Sequence, residues 1–290
     1  DYRGNDDEKS VQITAKNGYG LLDDFLSQIE QDNNRALLLN KWTDKDGGVR
    51  TFDLSLAKLA PVDPMALAML DDQMAIYAAS TGGDLSEIPG YFTIKDVARR
   101  LDAGTGSLGV PRYYVLIEGD SDSTGDDRIL DVKGQLRPTA YPFLSAEEQL
   151  LLDDAAANDA ERAVVAYRAL SRKADDHLGW LTLSDGVYSV RDLSPYKEPF
   201  PLALLTSEGR FEKLAEQWGT ILATAHARAD RDHNPAVIDY SFDSEVDALT
   251  DTFHAEFRAQ VRDLAHSYAE QVRFDHQAFL AMLGGSAICP

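Results

Sequence analysis

Residues 104–119 read GTGSLGVPRYYVLIEG. Gly104, Gly106 and Gly109 stand in the pattern G-x-G-x-x-G, Pro111 follows, and an aromatic and aliphatic run comes next. What flanks this glycine loop decides the fold. A dinucleotide-binding loop lies between a strand and a helix, so that the helix N-terminus meets the pyrophosphate. RYYVLIEG is strand-like and supplies no such helix. A Walker A loop ends in Gly-Lys-Ser/Thr, and no lysine follows Gly109. A third reading has the loop joining two antiparallel strands, as in protein kinases, where glycines let the backbone close over phosphates without Cβ clashes. The plain alternative is a hairpin turn without a ligand, and a lone G-x-G-x-x-G does not decide between the two.

The kinase reading demands more. A lysine on the next strand should meet the α and β phosphates, and a glutamate on the following helix should pair with it. Lys133 in RILDVKGQ ends an apolar strand, and Glu161 in DAERAVVAYRAL lies on the helix that follows. Taken singly, these residues read as a solvated strand end and a solvated helix face. The order of glycines, strand, lysine, helix, glutamate, hairpin and proline-rich connector is more specific than any one member. Pro111 departs from it, standing where kinases usually have valine. The expected geometry is an ion pair between Lys133 and Glu161.

Around this centre the chain reads as follows. Residues 20–31 place Leu21, Leu22, Phe25 and Ile29 at helical spacing. ALLLNKWT and the DKDGGVRTFDL that follows it predict a strand, a Gly-Gly turn and a second strand. Asp63 and Pro64 start a helix running to residue 80. Residues 110–119 and 128–133 are strands joined by DSDSTGDD. Its Asp120, Asp122, Asp126 and Asp127 are expected in solvent, because unpaired buried charges are costly. Residues 145–173 predict one long helix, opened by a Ser145/Glu148 capping box. Residues 178–193 are a hairpin, SPYKEPFPL is a connector, and helices cover 208–229 and 243–283. The fold class is α+β, divided as 1–94 (helical and hairpin segment), 95–195 (the lobe with the glycine loop) and 196–290 (helical lobe).

Composition limits function. Twenty-eight Lys and Arg face 49 Asp and Glu, a net charge of -21. Such a surface repels nucleic acid and anionic membranes. Cys289 is the only cysteine, so no intramolecular disulfide forms, and the cytoplasm is the default location. No apolar run approaches the ~20 residues that span a bilayer. Other chemistries fail on detail. A nucleophile elbow at Ser107 lacks its first glycine, since Thr105 stands there. The histidines show no H-E-x-x-H spacing. DRDHN (230–234) opens like a calcium loop, but Pro235 and Ser241 occupy the glycine and glutamate positions.

DVARRLDAGTGSLGVPRYYVLIEG, ILDVKGQLRPTA, AERAVVAYRAL, YSVRDLSPYK and ATAHARAD resemble, in order, the bacterial Domain of Unknown Function 2252 family. LLNKWTDKDGGVRTF and YAEQVRFDHQAF extend the resemblance over nearly the whole chain. The family is similar to kinases of the aminoglycoside phosphotransferase type. The resemblance implies a protein-kinase-like α+β fold of permuted order, a small antiparallel sheet with a long helix plus a helical lobe. In the family, a G-D-x-H-x-x-N catalytic segment and a D-F-D-like metal segment precede the glycine loop. This sequence contains neither, and so looks like the family without its N-terminal part. The resemblance carries over Gly104, Gly106, Gly109, Lys133 and Glu161 as nucleotide-binding residues, with no catalytic base and no metal ligand. It implies ATP and Mg²⁺ as cofactors and an unspecified small-molecule or protein acceptor. Asp192, Leu193 and Pro195 are candidates for the adenine side. The expected function is nucleotide binding by an incomplete kinase-like phosphotransferase. The alternatives are a non-catalytic kinase-like module and a structural domain without nucleotide.

Overall fold

The computed structural model describes residues 3–4, 11–12, 20–104, 107 and 109–284, so Gly106 and Cys289 lie outside the described residues. The chain opens with a two-stranded ribbon of β1 (Arg3–Gly4) and β2 (Val11–Gln12). Helices α1 (Gly20–Asp32) and α2 (Arg35–Trp42) follow. ALLLNKW was expected as a strand and is helical instead. Asn34 caps it by accepting the Leu37 N–H at 3.0 Å, and its alanine, leucine and lysine residues are good helix formers. The hairpin proper is β3 (Thr43–Asp46) and β4 (Val49–Phe52), turning at the two glycines.

The main sheet has six antiparallel strands. In spatial order they are β5 (Leu59–Ala60), β6 (Ile94–Arg100), β7 (Arg112–Ile117), β8 (Arg128–Gln135), β10 (Gly186–Asp192) and β9 (Gly179–Leu183). Every residue of β7 is buried, which requires cover on both faces of the sheet. On one face α3 (Pro64–Ser80) packs Leu70, Met74 and Tyr77 against Val97, Val115, Leu130, Val132 and Val190. Asp63 caps this helix and Pro64 occupies its first turn, as the sequence predicts. On the other face Leu39, Trp42 and Phe52 cover Ala98, Tyr114, Leu116 and Ile129. Each such fully buried aliphatic side chain contributes about 1.5–3 kcal/mol.

The stretch expected as one long helix is two, α4 (Ala146–Asp154) and α5 (Asp159–Leu170). The Ser145/Glu148 capping box is present. The break arises because the Asn158 side chain accepts the N–H groups of both Ala160 and Glu161, starting a new helix. Helix α5 packs across β8, β9 and β10, with Arg168 over the Trp180 ring. Helices α6 (Glu208–Arg228), α7 (Phe242–Thr250) and α8 (His254–Met282) complete the chain, with the last predicted helix also divided. Among the described residues no helix is long and apolar enough to cross a membrane.

The acidic turn departs from expectation at one residue. Asp120 and Asp122 are exposed and Asp126 is half-buried, but Asp127 is fully buried. It is not an unpaired charge. Lys95 Nζ lies 2.9 Å from Asp127 and 3.1 Å from Glu118, and Arg50 Nε lies 3.4 Å from Asp127. This network ties the β3–β4 hairpin, β6 and the turn together.

Candidate functional site

The glycine loop joins β6 to β7, two antiparallel neighbours, and no helix starts at Gly109. That removes the dinucleotide-binding reading. Gly104 (φ 91°) and Gly109 (φ 75°) both occupy the left-handed region that favours glycine. The returning limb of the loop is fastened to β8. Gly134 N–H donates to Pro111 O at 2.9 Å. A Cβ on Gly134 would stand 3.0 Å from Val110 Cγ1 and 3.2 Å from Pro111 O. The loop therefore lies against the residue next to Lys133.

Strand register sets what Lys133 faces. It pairs with Arg112 on β7 and Ser189 on β10. Asp131, two residues back on the same face, is buried and takes Arg112 in a two-pronged ion pair, with Nε to Oδ1 at 2.5 Å. Arg191 reaches the same carboxylate at 3.4 Å. Arg112 is thus neutralised from within the sheet. Lys133 forms no ion pair among the described residues. Two cations at directly opposed positions repel each other, and a bound anion would offset that cost.

Lys133 and Glu161 do not form the expected pair. The Glu161 carboxylate accepts the Ala157 N–H at 2.9 Å, filling a donor left open at the start of α5. The pairing fails because the glutamate falls in the first turn of a new helix, where the unpaired N–H groups attract it.

A cleft of about 690 Å³ opens between the loop 171–177 and the connector 193–198. Asp192, Leu193 and Pro195 line it, together with many charged side chains. Its walls are held by Asp175, which accepts N–H groups from Asp192 at 2.6 Å and His177 at 3.0 Å. The His177 ring lies between Asp175 (3.1 Å) and the Tyr91 hydroxyl (2.7 Å). Burial alone would raise the Asp175 carboxyl, but the His177 ring and these N–H donors overcome it and hold it below its ordinary value.

A family model described as "Uncharacterized protein conserved in bacteria (DUF2252)" matches residues 2–282. The chain belongs to this family. No curated protein and no solved structure matches it.

In this DUF2252 chain the structure brings Gly109 and Lys133 to the same end of the sheet and keeps Glu161 engaged elsewhere. Reading the sequence missed Arg112, Asp131 and Arg191. The signal was available, since Asp131 and Lys133 are two apart on a strand and so share a face. Among the described residues no group of three or more His, Cys, Asp or Glu is placed to hold a metal ion.

Proposed function

We propose that this DUF2252 chain is the nucleotide-binding part of a kinase-like phosphotransferase of permuted order, with ATP as nucleotide and Mg²⁺ accompanying its phosphates. The observation that carries this reading is an antiparallel glycine hairpin fastened beside a lysine that has no carboxylate partner among the described residues. The order of glycine loop, strand, lysine strand and helix is that of protein kinases. In this reading the loop offers backbone N–H groups to the phosphates, and Lys133 neutralises them. Mg²⁺ would supply further neutralisation of charge. The acceptor is a small molecule or a protein, and a cytoplasmic location accords with the use of ATP.

One observation favours a second reading. With Glu161 committed to its own helix, the chain also fits a kinase-like module that binds nucleotide without transferring phosphate. Calorimetric titration with ATP, with and without Mg²⁺, tests the shared part. Binding is expected, weakened tenfold or more by Lys133→Ala, a loss of about 1.4 kcal/mol. Absence of binding, or binding indifferent to Lys133→Ala, would leave only a structural hairpin. Phosphate transfer onto a panel of small molecules then separates enzyme from module.

A further inference from the structure

The cleft at the connector is rich in charge. Six cationic and four carboxylate side chains border it, beside Tyr167, Leu193, Pro195 and Tyr196. Two of the carboxylates are already engaged: Asp175 by N–H groups and His177, Asp192 by Arg35 at 3.0 Å and Arg128 at 3.6 Å. Three of the cations, Arg172, Lys173 and Lys197, form no ion pair among the described residues. On a chain carrying a net charge of -21, this is a local reversal of sign. Lost hydration, more than the neighbouring Arg191 and Arg112 guanidiniums, pushes the Lys197 ammonium below its ordinary value.

We propose that this cleft binds a small di- or polyphosphate anion, held by Arg172, Lys173, Arg191 and Lys197. Its volume lies in the range of small-molecule sites. Guanidinium groups match phosphate oxygens in pairs, and such charge-assisted hydrogen bonds are the strong ones. The site does not rest on the nucleotide reading. Arg128, at one end of the cleft, is five residues or about 16 Å along β8 from Lys133, and Arg191, at the other, reaches Asp131, two residues or about 7 Å from it.

Pyrophosphate is the probe. Calorimetric titration of the 290-residue chain should show binding that weakens with added salt. The Arg172→Ala/Lys173→Ala double variant should bind tenfold or more weakly at the cleft, while Lys133→Ala should remove at most a second pyrophosphate at the glycine loop and keep the one in the cleft. Both substituted residues are exposed, so matching thermal unfolding curves confirm that the fold is intact. Displacement of pyrophosphate by ATP in the Lys133→Ala protein would identify a nucleotide's phosphate chain as the occupant. Failure to displace it would identify a non-nucleotide phosphate. Pyrophosphate binding lost in Lys133→Ala but kept in the double variant would move the anion to the glycine loop, overturning the cleft site and leaving the nucleotide reading intact. No pyrophosphate binding at all would also overturn it, whatever ATP does.

Discussion

Gly134 has no room for a side chain, and this makes it a probe of the glycine loop that leaves every charge in place. An alanine Cβ would press on Val110 and on the Pro111 carbonyl. Val110 can rotate, but the backbone carbonyl must shift by tenths of an ångström. Gly134→Ala should cost about 1–3 kcal/mol of stability, the usual size of overpacking, and should weaken ATP binding through a displaced loop. Chemical denaturation and titration of the same protein check both; unchanged stability would mean the loop is not held on β8. Asp175 offers a test by pH. Its folded carboxyl lies below the ordinary 3.8, so its contribution is present above about pH 4 and is lost as pH falls through the folded value. Asp175→Asn keeps the shape but cannot titrate. The stability gap between parent and variant should shrink as pH falls below about 4. A gap that widens below about pH 4 would contradict the assignment.

At the scale of elements, Asn158 determines where α5 starts and Asp127 holds the turn. Asn158→Ala removes the acceptor for two N–H groups and should cost about 1 kcal/mol. Asp127→Ala leaves Lys95 facing only Glu118 and Arg50 without its carboxylate, and should cost about 3 kcal/mol or more. Denaturation midpoints rank the two; equal small effects would show that the buried network is not holding the hairpin. These two residues also show what the sequence conceals. Strands β7 and β8, the β9–β10 hairpin and α3 were legible, because their apolar periods and caps are local. Asn158 was read as helix interior, since capping competes with propensity and a 29-residue periodic stretch hides one break. Asp127 was read as solvent-facing because its partners are distant in sequence, Lys95 by 32 residues and Arg50 by 77. The positions of Gly109 and Lys133 were legible for the same local reasons as the strands. The partner of Arg112 was not, since an ion pair across two strands depends on register.

At the scale of the whole molecule, net charge and uncovered apolar surface oppose each other. Helix α8 buries no residue, yet Phe257, Val261, Leu264, Tyr268 and Val272 recur along it at spacings of three and four. Each is at least 44% exposed. A stripe at that period is normally covered, and one left in water promotes association. The net charge of -21 resists it, because like-charged molecules repel at distances up to the Debye length. Salt decides between the two. Raising ionic strength from about 0.01 M to 0.15 M shortens the Debye length from about 30 Å to 8 Å and removes most of the repulsion, while apolar attraction remains. The 290-residue chain should therefore be more self-associated at the higher salt. Leu264→Gln with Tyr268→Gln should reduce that association without altering net charge. Because both side chains are exposed, stability should stay within about 0.5 kcal/mol of the parent. Sedimentation at the two salt concentrations, on parent and double variant, is the measurement. Association that falls with salt would make it electrostatic. Association that rises equally in both proteins would place the adhesive surface on another element, with the exposed Phe211, Trp218 and Leu222 of α6 the next to be substituted.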